Sequence, residues 1–521
     1  MRHISKRFGA MLANDGISLD LAKGEVLALL GENGAGKSTL MSILFGHYVA
    51  DAGDIEVFGR ALPPGNPGAA LAAGVGMVHQ HFTLADNLSV LDNVILGTEP
   101  VWQPWSRRAA ARRKLLDVTR RFGLPVQPDA LVGSLTVGER QRVEILKSLY
   151  RGARILILDE PTAVLTPQES ESLFATLGHM VAQGLSIIFI SHKLAEVMRV
   201  SHRVVVLRGG KLVAQANTAD TTKAQLATWM VGHAVQLPER RPATAVGAPV
   251  CVLARASAGG GERGGLAQVS MTLHRGEIVA IAGVSGNGQV TLTELLCGMR
   301  TLESGEASFL GQPLRPDPVR LVLDGVARIP EDRHAVGVIG DLAVWENAVS
   351  ERLRTPAFSR RALWVRRRAA RAHAEHVIRT FDVRGGGPGA AARALSGGNM
   401  QKLILGRALL PVGDGPAPQL IVAHQPTWGL DIGAVAFVHQ RLIDARDAGA
   451  AVLVISDDLD EVLALGDRVA VMHGGQLSAL RRAEDWTREA IGLAMAGHAH
   501  ETGSPAVAGP AHHGVPRGVP A

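Results

Sequence analysis

Short apolar runs with few polar breaks alternate along this chain with longer stretches in which apolar residues recur at helical spacing. Val26–Leu30, Ile155–Leu158 and Ser186–Ile190 are such runs, and Ile278–Ala282, Leu420–Ala423 and Ala451–Ile455 follow in the same order further on. A strand with one wet face alternates apolar and polar residues; a strand covered on both faces does not. The six runs therefore predict buried strands. Their alternation with helical patterns predicts an α/β fold with a largely parallel core.

The second set of runs repeats the first. Ile17–Gly36 (ISLDLAKGEVLALLGENGAG) aligns with Val269–Gly288 (VSMTLHRGEIVAIAGVSGNG) without a gap, and the same offset carries Gly46, Gly53 and Gly59 onto Gly298, Gly305 and Gly311. Leu156–Thr162 (LILDEPT) aligns with Ile421–Thr427 (IVAHQPT) at a larger offset. So many matches in order imply two homologous halves that differ by insertions. The expected division is a first half 1–232, a linker 233–248 rich in Pro, Ala and Arg, a second half 249–498 and a Gly/Pro/Ala-rich tail 499–521 without fixed structure. Fully extended, the linker would span roughly 50 Å. His500, His512 and His513 in the tail read most simply as solvated side chains.

Composition narrows the class. A chain of 521 residues exceeds one ordinary core, and 46% hydrophobic with 20% charged residues is a globular balance. The net charge of +6 is small for this length, and the few aromatics form no basic-aromatic stripe, so no nucleic-acid partner is expected. Cys251 and Cys297 offer neither a disulfide framework nor metal-ligand spacing, which fits a reducing compartment. The opening MRHISKRFGA lacks the apolar core of a signal peptide. No stretch approaches the roughly 20 apolar residues that span a bilayer, so a membrane role would come through partners.

Gly31-Glu32-Asn33-Gly34-Ala35-Gly36-Lys37-Ser38-Thr39 fits G-x-x-x-x-G-K-[ST] between an expected strand and an amphipathic helix that closes at Gly46. Gly31, Gly34 and Gly36 let backbone N–H groups turn inward around phosphates, and the helix N-terminus adds its positive end. Lys37 would reach the β- and γ-phosphates of ATP, and Ser38 would hold Mg²⁺, with Asn33 and Thr39 completing the loop. Ile155–Leu158 ends in Asp159 and Glu160. Asp159 would hold Mg²⁺ and Glu160 would polarise the attacking water. His192 follows the next strand, where it would stabilise the γ-phosphate.

Together these motifs resemble the nucleotide-binding domain of the ABC transporter superfamily, and the resemblance runs from Ser5 to about Met495. Its decisive segment is Leu395-Ser396-Gly397-Gly398-Asn399-Met400-Gln401, which looks like that family's signature. The resemblance implies two tandem P-loop NTPase domains, each with a mixed β core and a helical subdomain. It implies that Ser396, Gly397, Gly398 and Gln401 serve nucleotide held by the other half. Gln80, in MVHQHF, looks like the Q-loop residue that links Mg²⁺ to a membrane subunit, and Phe8 stands where an aromatic stacks on adenine. Few residues precede Ser5, so the first strand is expected to be cut short, as if the true start lay upstream.

The second half departs from the pattern at every catalytic position. Gln289 stands for Lys37, Val290 for Ser38, His424 and Gln425 for the two carboxylates, Asp457 for His192 and Glu331 for Gln80. The departures are sorted rather than scattered. The whole phosphate loop lies in the first half, and the whole signature lies in the second, with Asp431 of the segment that crosses between halves. The first half's own signature reads Leu135-Thr136-Val137-Gly138-Glu139, without the double glycine, and Thr166 stands for Asp431. One composite site is expected to be whole and the other impaired.

The resemblance leaves three classes: the ATPase of a transporter, a soluble tandem ABC protein acting on ribosomes or DNA, and a non-catalytic ATP-regulated protein. The intact Lys37, Asp159, Glu160 and His192 argue against the third. A short linker without large insertions argues against the second. The pairs MVHQHF with VLDNVILG and IPEDRH with WENAV resemble importers of nucleosides, with simple sugars such as ribose or xylose as the alternative. Such an ATPase would sit peripherally on the cytoplasmic face of the inner membrane. Its partners would be two permease subunits and, through the complex, an extracytoplasmic substrate-binding lipoprotein.

Overall fold

The computed structural model describes residues 1–9, 11–79, 82–98, 107–162, 165, 167–191, 193–232, 243, 246–259, 264–360, 364–413, 415, 417–495 and 497. In the first half, a six-stranded sheet runs in the order Lys211–Asn217, Arg203–Arg208, Val26–Gly31, Ser186–Ile190, Ile155–Asp159, Val75–Val78. All neighbours are parallel except the edge pair Arg203–Arg208 with Lys211–Asn217. The three apolar runs are thus adjacent central strands. Every residue of Val26–Gly31 and Ser186–Ile190 is buried, because helices cover both faces of the sheet.

The second half repeats this order with Val326–Ile329, Leu420–His424, Ala451–Ser456, Glu277–Ala282 and Arg468–His473. Each half also carries a small antiparallel sheet, built on Arg2–Phe8 in the first and on the longer Pro249–Ala258 in the second. Separate apolar clusters fill the two faces of each main sheet. On one face the cluster continues into a helical subdomain around Leu115, Leu146 and Val94 in the first half, and around Val377, Leu403 and Val349 in the second. These are the mixed β core and helical subdomain expected of each half.

Cys251 and Cys297 are buried and unpaired, and burial pushes both thiols up to about 12, where they stay protonated and inert. Among the described residues no helix is long and apolar enough to cross a membrane. Nearly all of the linker and of the tail, with His500, His512 and His513, lies outside the described residues.

Candidate functional site

The carboxyl ends of parallel strands are where α/β sheets gather their chemistry. Val26–Gly31 delivers the phosphate loop, Ser186–Ile190 delivers the segment at Ser191, and Ile155–Asp159 delivers Asp159 and Glu160. These strands are neighbours, so motifs more than a hundred residues apart in sequence converge on one edge.

Backbone geometry explains the loop's glycines. Gly36 has φ 97°, and a Cβ there would lie 2.3 Å from Ala13 O. A Cβ on Gly31 would lie 2.4 Å from Leu207 O. No side chain fits at either place. Gly36 caps the helix Lys37–Phe45 without a side-chain cap, so the first-turn N–H groups remain available to an anion. Asn14, which no motif marks, is fully buried and donates from Nδ2 to Gly36 O at 3.1 Å, bracing the loop from below.

Lys37 is 7% exposed and donates from Nζ to Gly31 O at 2.6 Å and Glu32 O at 3.0 Å. Burial lowers its pKa, opposed by Glu160, Asp159, Asp431 and Glu32 in turn. Ser38 is exposed at the helix start. Burial and the neighbouring Glu160 push Asp159 up to about 6, against the pull of Lys37. Two adjacent, partly buried carboxylates at this strand end, on the same edge of the sheet as the helix start with its exposed Ser38 hydroxyl, are an environment that a hard cation with oxygen ligands would relieve. The donor set therefore fits Mg²⁺.

Glu160 holds φ 47°, a left-handed conformation that a non-glycine residue adopts only when its surroundings impose it. Its N–H donates to Ile190 O at 2.9 Å. Gln425, at the matching place in the second half, holds φ 48° and donates to Ile455 O at 2.7 Å. The second half has kept the strained scaffold and exchanged the chemistry mounted on it.

The second half's loop is filled from within. Gln289 is 3% exposed; its Nε2 donates to Val284 O at 2.8 Å, and its Oε1 accepts the Asn287 N–H at 3.0 Å. A backbone donor of the loop is thereby occupied. His424 is buried and burial drops its pKa to about 4, so it carries no charge at neutral pH.

The two signatures differ at their helix N-termini. Ser396 caps Gly397–Leu409 with neutral Asn399 at the third position, Asn399 N donating to Ser396 Oγ at 3.4 Å. Thr136 caps Val137–Tyr150 in a reciprocal capping box with Glu139. The Thr136 N–H holds the Glu139 carboxyl below its ordinary range. A carboxylate therefore already occupies the positive end that a phosphate would need.

The halves meet at the first loop. Asn33 donates from Nδ2 to Gly429 O, in the crossing segment of the second half, at 2.6 Å. Asp431 caps the helix Ile432–Asp447 through Ala434 N and lies within electrostatic reach of Lys37. Gln401, expected to contact nucleotide, makes its hydrogen bond within the second half. It is 3% exposed and donates inward to Pro426 O at 2.7 Å, tying the signature helix to the crossing segment. Phe8 is partly exposed with its ring 5.4 Å from Tyr48, a second aromatic that the motifs do not single out. Gln80, Thr166 and His192 lie outside the described residues.

Comparison with known proteins supplies the wider context. Residues 14–163 and 266–412 match the ABC transporter family. The chain is 43% identical to the glucose import ATP-binding protein of Haloferax volcanii, with 95% of each chain covered. It is 41% identical to the nucleoside import ATP-binding protein of Lactococcus lactis and 42% identical to the guanosine import ATP-binding protein of Bacillus subtilis; both alignments cover 95% of this chain and 97% of the relative.

Proposed function

Since the chain belongs to the ABC transporter family and is an ATPase of transport, we propose that it energises import of nucleosides or related purine compounds through a single competent composite ATP site. The observation that carries the single-site reading is the bond from Asn33 to Gly429, which brings the second half's crossing segment onto the first half's intact loop. In this reading Lys37 would bind the β- and γ-phosphates, Ser38 and Asp159 would hold Mg²⁺ with Gln80, and Glu160 would orient and deprotonate water. His192 stabilises the γ-phosphate, and Ser396, Gly397 and Gly398 close over it from the second half. When bound, Mg²⁺ supplies neutralisation of phosphate charge. Phe8 stacks on adenine.

The solute is read from relatives and motif pairs, because this subunit does not touch it. Two relatives named for nucleoside and guanosine import support the purine reading, and the glucose-import relative supports simple sugars as the alternative. Radiolabelled uptake in a deletion strain decides between them. Guanosine or adenosine uptake is expected to fall to background with ribose, xylose and glucose uptake intact; the reverse pattern would overturn the purine assignment.

We take 1–232 and 249–498 as the two ATPase domains, supported by the last helix of the first half closing at Gly232 and a strand opening the second half at Pro249. One chain then supplies both halves. The complex should contain one copy of it beside two permease subunits at the cytoplasmic face of the membrane, served by an extracytoplasmic binding protein. Light scattering of the purified complex tests this, and a mass requiring two ATPase chains would contradict it.

A further inference from the structure

We propose that Arg333 is a positioning residue for the competent ATP site, bracing the second half's crossing segment against its signature helix so that both reach the first half's phosphate loop. The inference rests on the composite-site reading and adds a residue that the ATP-site motifs do not include.

Arg333 opens a turn of π-helix, Arg333–Gly337, capped by Asp332 through His334 N and Ala335 N. It follows Glu331, which occupies the place of the Q-loop glutamine, the position that faces a permease in the family resemblance. Its guanidinium is turned inward and only 8% of the residue is exposed. Nη2 donates to Trp428 O. A Cβ built on Gly429 would lie 3.1 Å from Nη2, and one built on Gly397 would lie 3.8 Å from the guanidinium carbon. The planar cation therefore sits between the first turn of the signature helix and the crossing segment. The next link is Gly429 O, which accepts from Asn33 of the phosphate loop at 2.6 Å. A fork of fixed N–H donors suits such bridging, and a lysine point charge does not.

The asymmetry between halves gives this arrangement a purpose. Aligning Val75–Val78 with Val326–Ile329 places Phe82 opposite Arg333. Phenylalanine has no donor with which to hold a carbonyl. Gln141, the counterpart of Gln401, is 4% exposed, and its Nε2 has no hydrogen-bond partner among the described residues, whereas Gln401 Nε2 reaches Pro426 O at 2.7 Å. Both braces are thus made in the half whose signature serves the intact loop, and both are missing in the half whose signature faces the failed one. A bystander arginine would not follow this sorting.

The test uses the assembled transporter. Arg333→Met and Arg333→Lys are each expected to lower kcat for ATP by about 10- to 100-fold through misplacement of the closing half. The Kd of a fluorescent ATP analogue at the first loop should change by less than about twofold, because Lys37 and Ser38 are untouched. Lysine should not rescue, and Asn33→Ala added to either variant should cost much less than it does in the wild type, as expected for residues in one chain of contacts. A wild-type kcat in both variants, or a Kd that weakens in step with kcat, overturns the assignment. Ser396→Arg separates the two levels. If it leaves the rate intact, the composite site itself is wrong; if it stops turnover while Arg333→Met does not, only the brace is wrong. Should Arg333→Met fail to assemble, Arg333→Lys, with its charge and stem kept, carries the same criteria.

Discussion

Ser396→Arg is expected to stop ATP turnover as completely as Lys37→Ala, although more than three hundred residues separate them in sequence. Lys37 is the buried cation of the first loop, and its loss removes a preorganised donor, typically worth about 10²–10³ in rate. Ser396 caps the helix whose free N–H groups face the same phosphates from the second half in the proposed closed site. An arginine there removes the cap and places a bulky side chain where two glycines now allow close approach. The matched change at Thr136 should be nearly silent, because the Glu139 carboxylate already blocks that helix end and Gln289 fills the loop it would serve. Steady-state ATPase rates of the reconstituted complex decide. A near-normal rate for Ser396→Arg, with turnover lost in Thr136→Arg, would mean that the pairing of halves is the other way round.

The parts of this molecule legible in the sequence are those fixed by short-range physics. Buried strands betray themselves as near-continuous apolar runs, and all six begin and end within one residue of the runs that predict them, as at Ser186–Ile190. The phosphate loop is legible because only glycine tolerates the close approach of Ala13 O to Gly36 and of Leu207 O to Gly31. Residues that act through tertiary contact are not legible. Gln401 belongs to the signature by spacing, yet its amide turns inward to Pro426, since helix phase and not motif membership sets its direction. Asn14 lies in a segment with no local signal, and Arg333 lies in IPEDRH without a role that the motif assigns; only the folded contacts reveal what they hold. Glu139 is an intermediate case. The T-x-x-E spacing of a capping box is visible in the chain, and its consequence for an anion at that helix end emerges with the geometry.

Glu160→Gln is expected to lower kcat by about 10²–10³ while leaving ATP binding intact, because it removes the base and none of the phosphate contacts. The protein carries its own control for this change. Gln425 occupies the same left-handed backbone position, φ 48° against 47°, with the same type of bond from its N–H to the neighbouring strand. The glutamine is therefore compatible with the scaffold, and the variant should fold and close around ATP without turning it over. The reciprocal change, Gln425→Glu, should gain little even when combined with Gln289→Lys. Val290 still offers no hydroxyl, His424 is still a buried neutral imidazole, and the first half's signature still ends in an occupied helix terminus. A base is useful only where phosphates, cation and closing helix converge on one geometry. The same reconstituted assay, run with a filter-binding measurement of retained ATP, separates the outcomes. Retained binding with lost turnover in Glu160→Gln supports the role of Glu160 as base. A wild-type rate in Glu160→Gln, or a second site revived by Gln425→Glu and Gln289→Lys alone, would remove the basis for a single competent site.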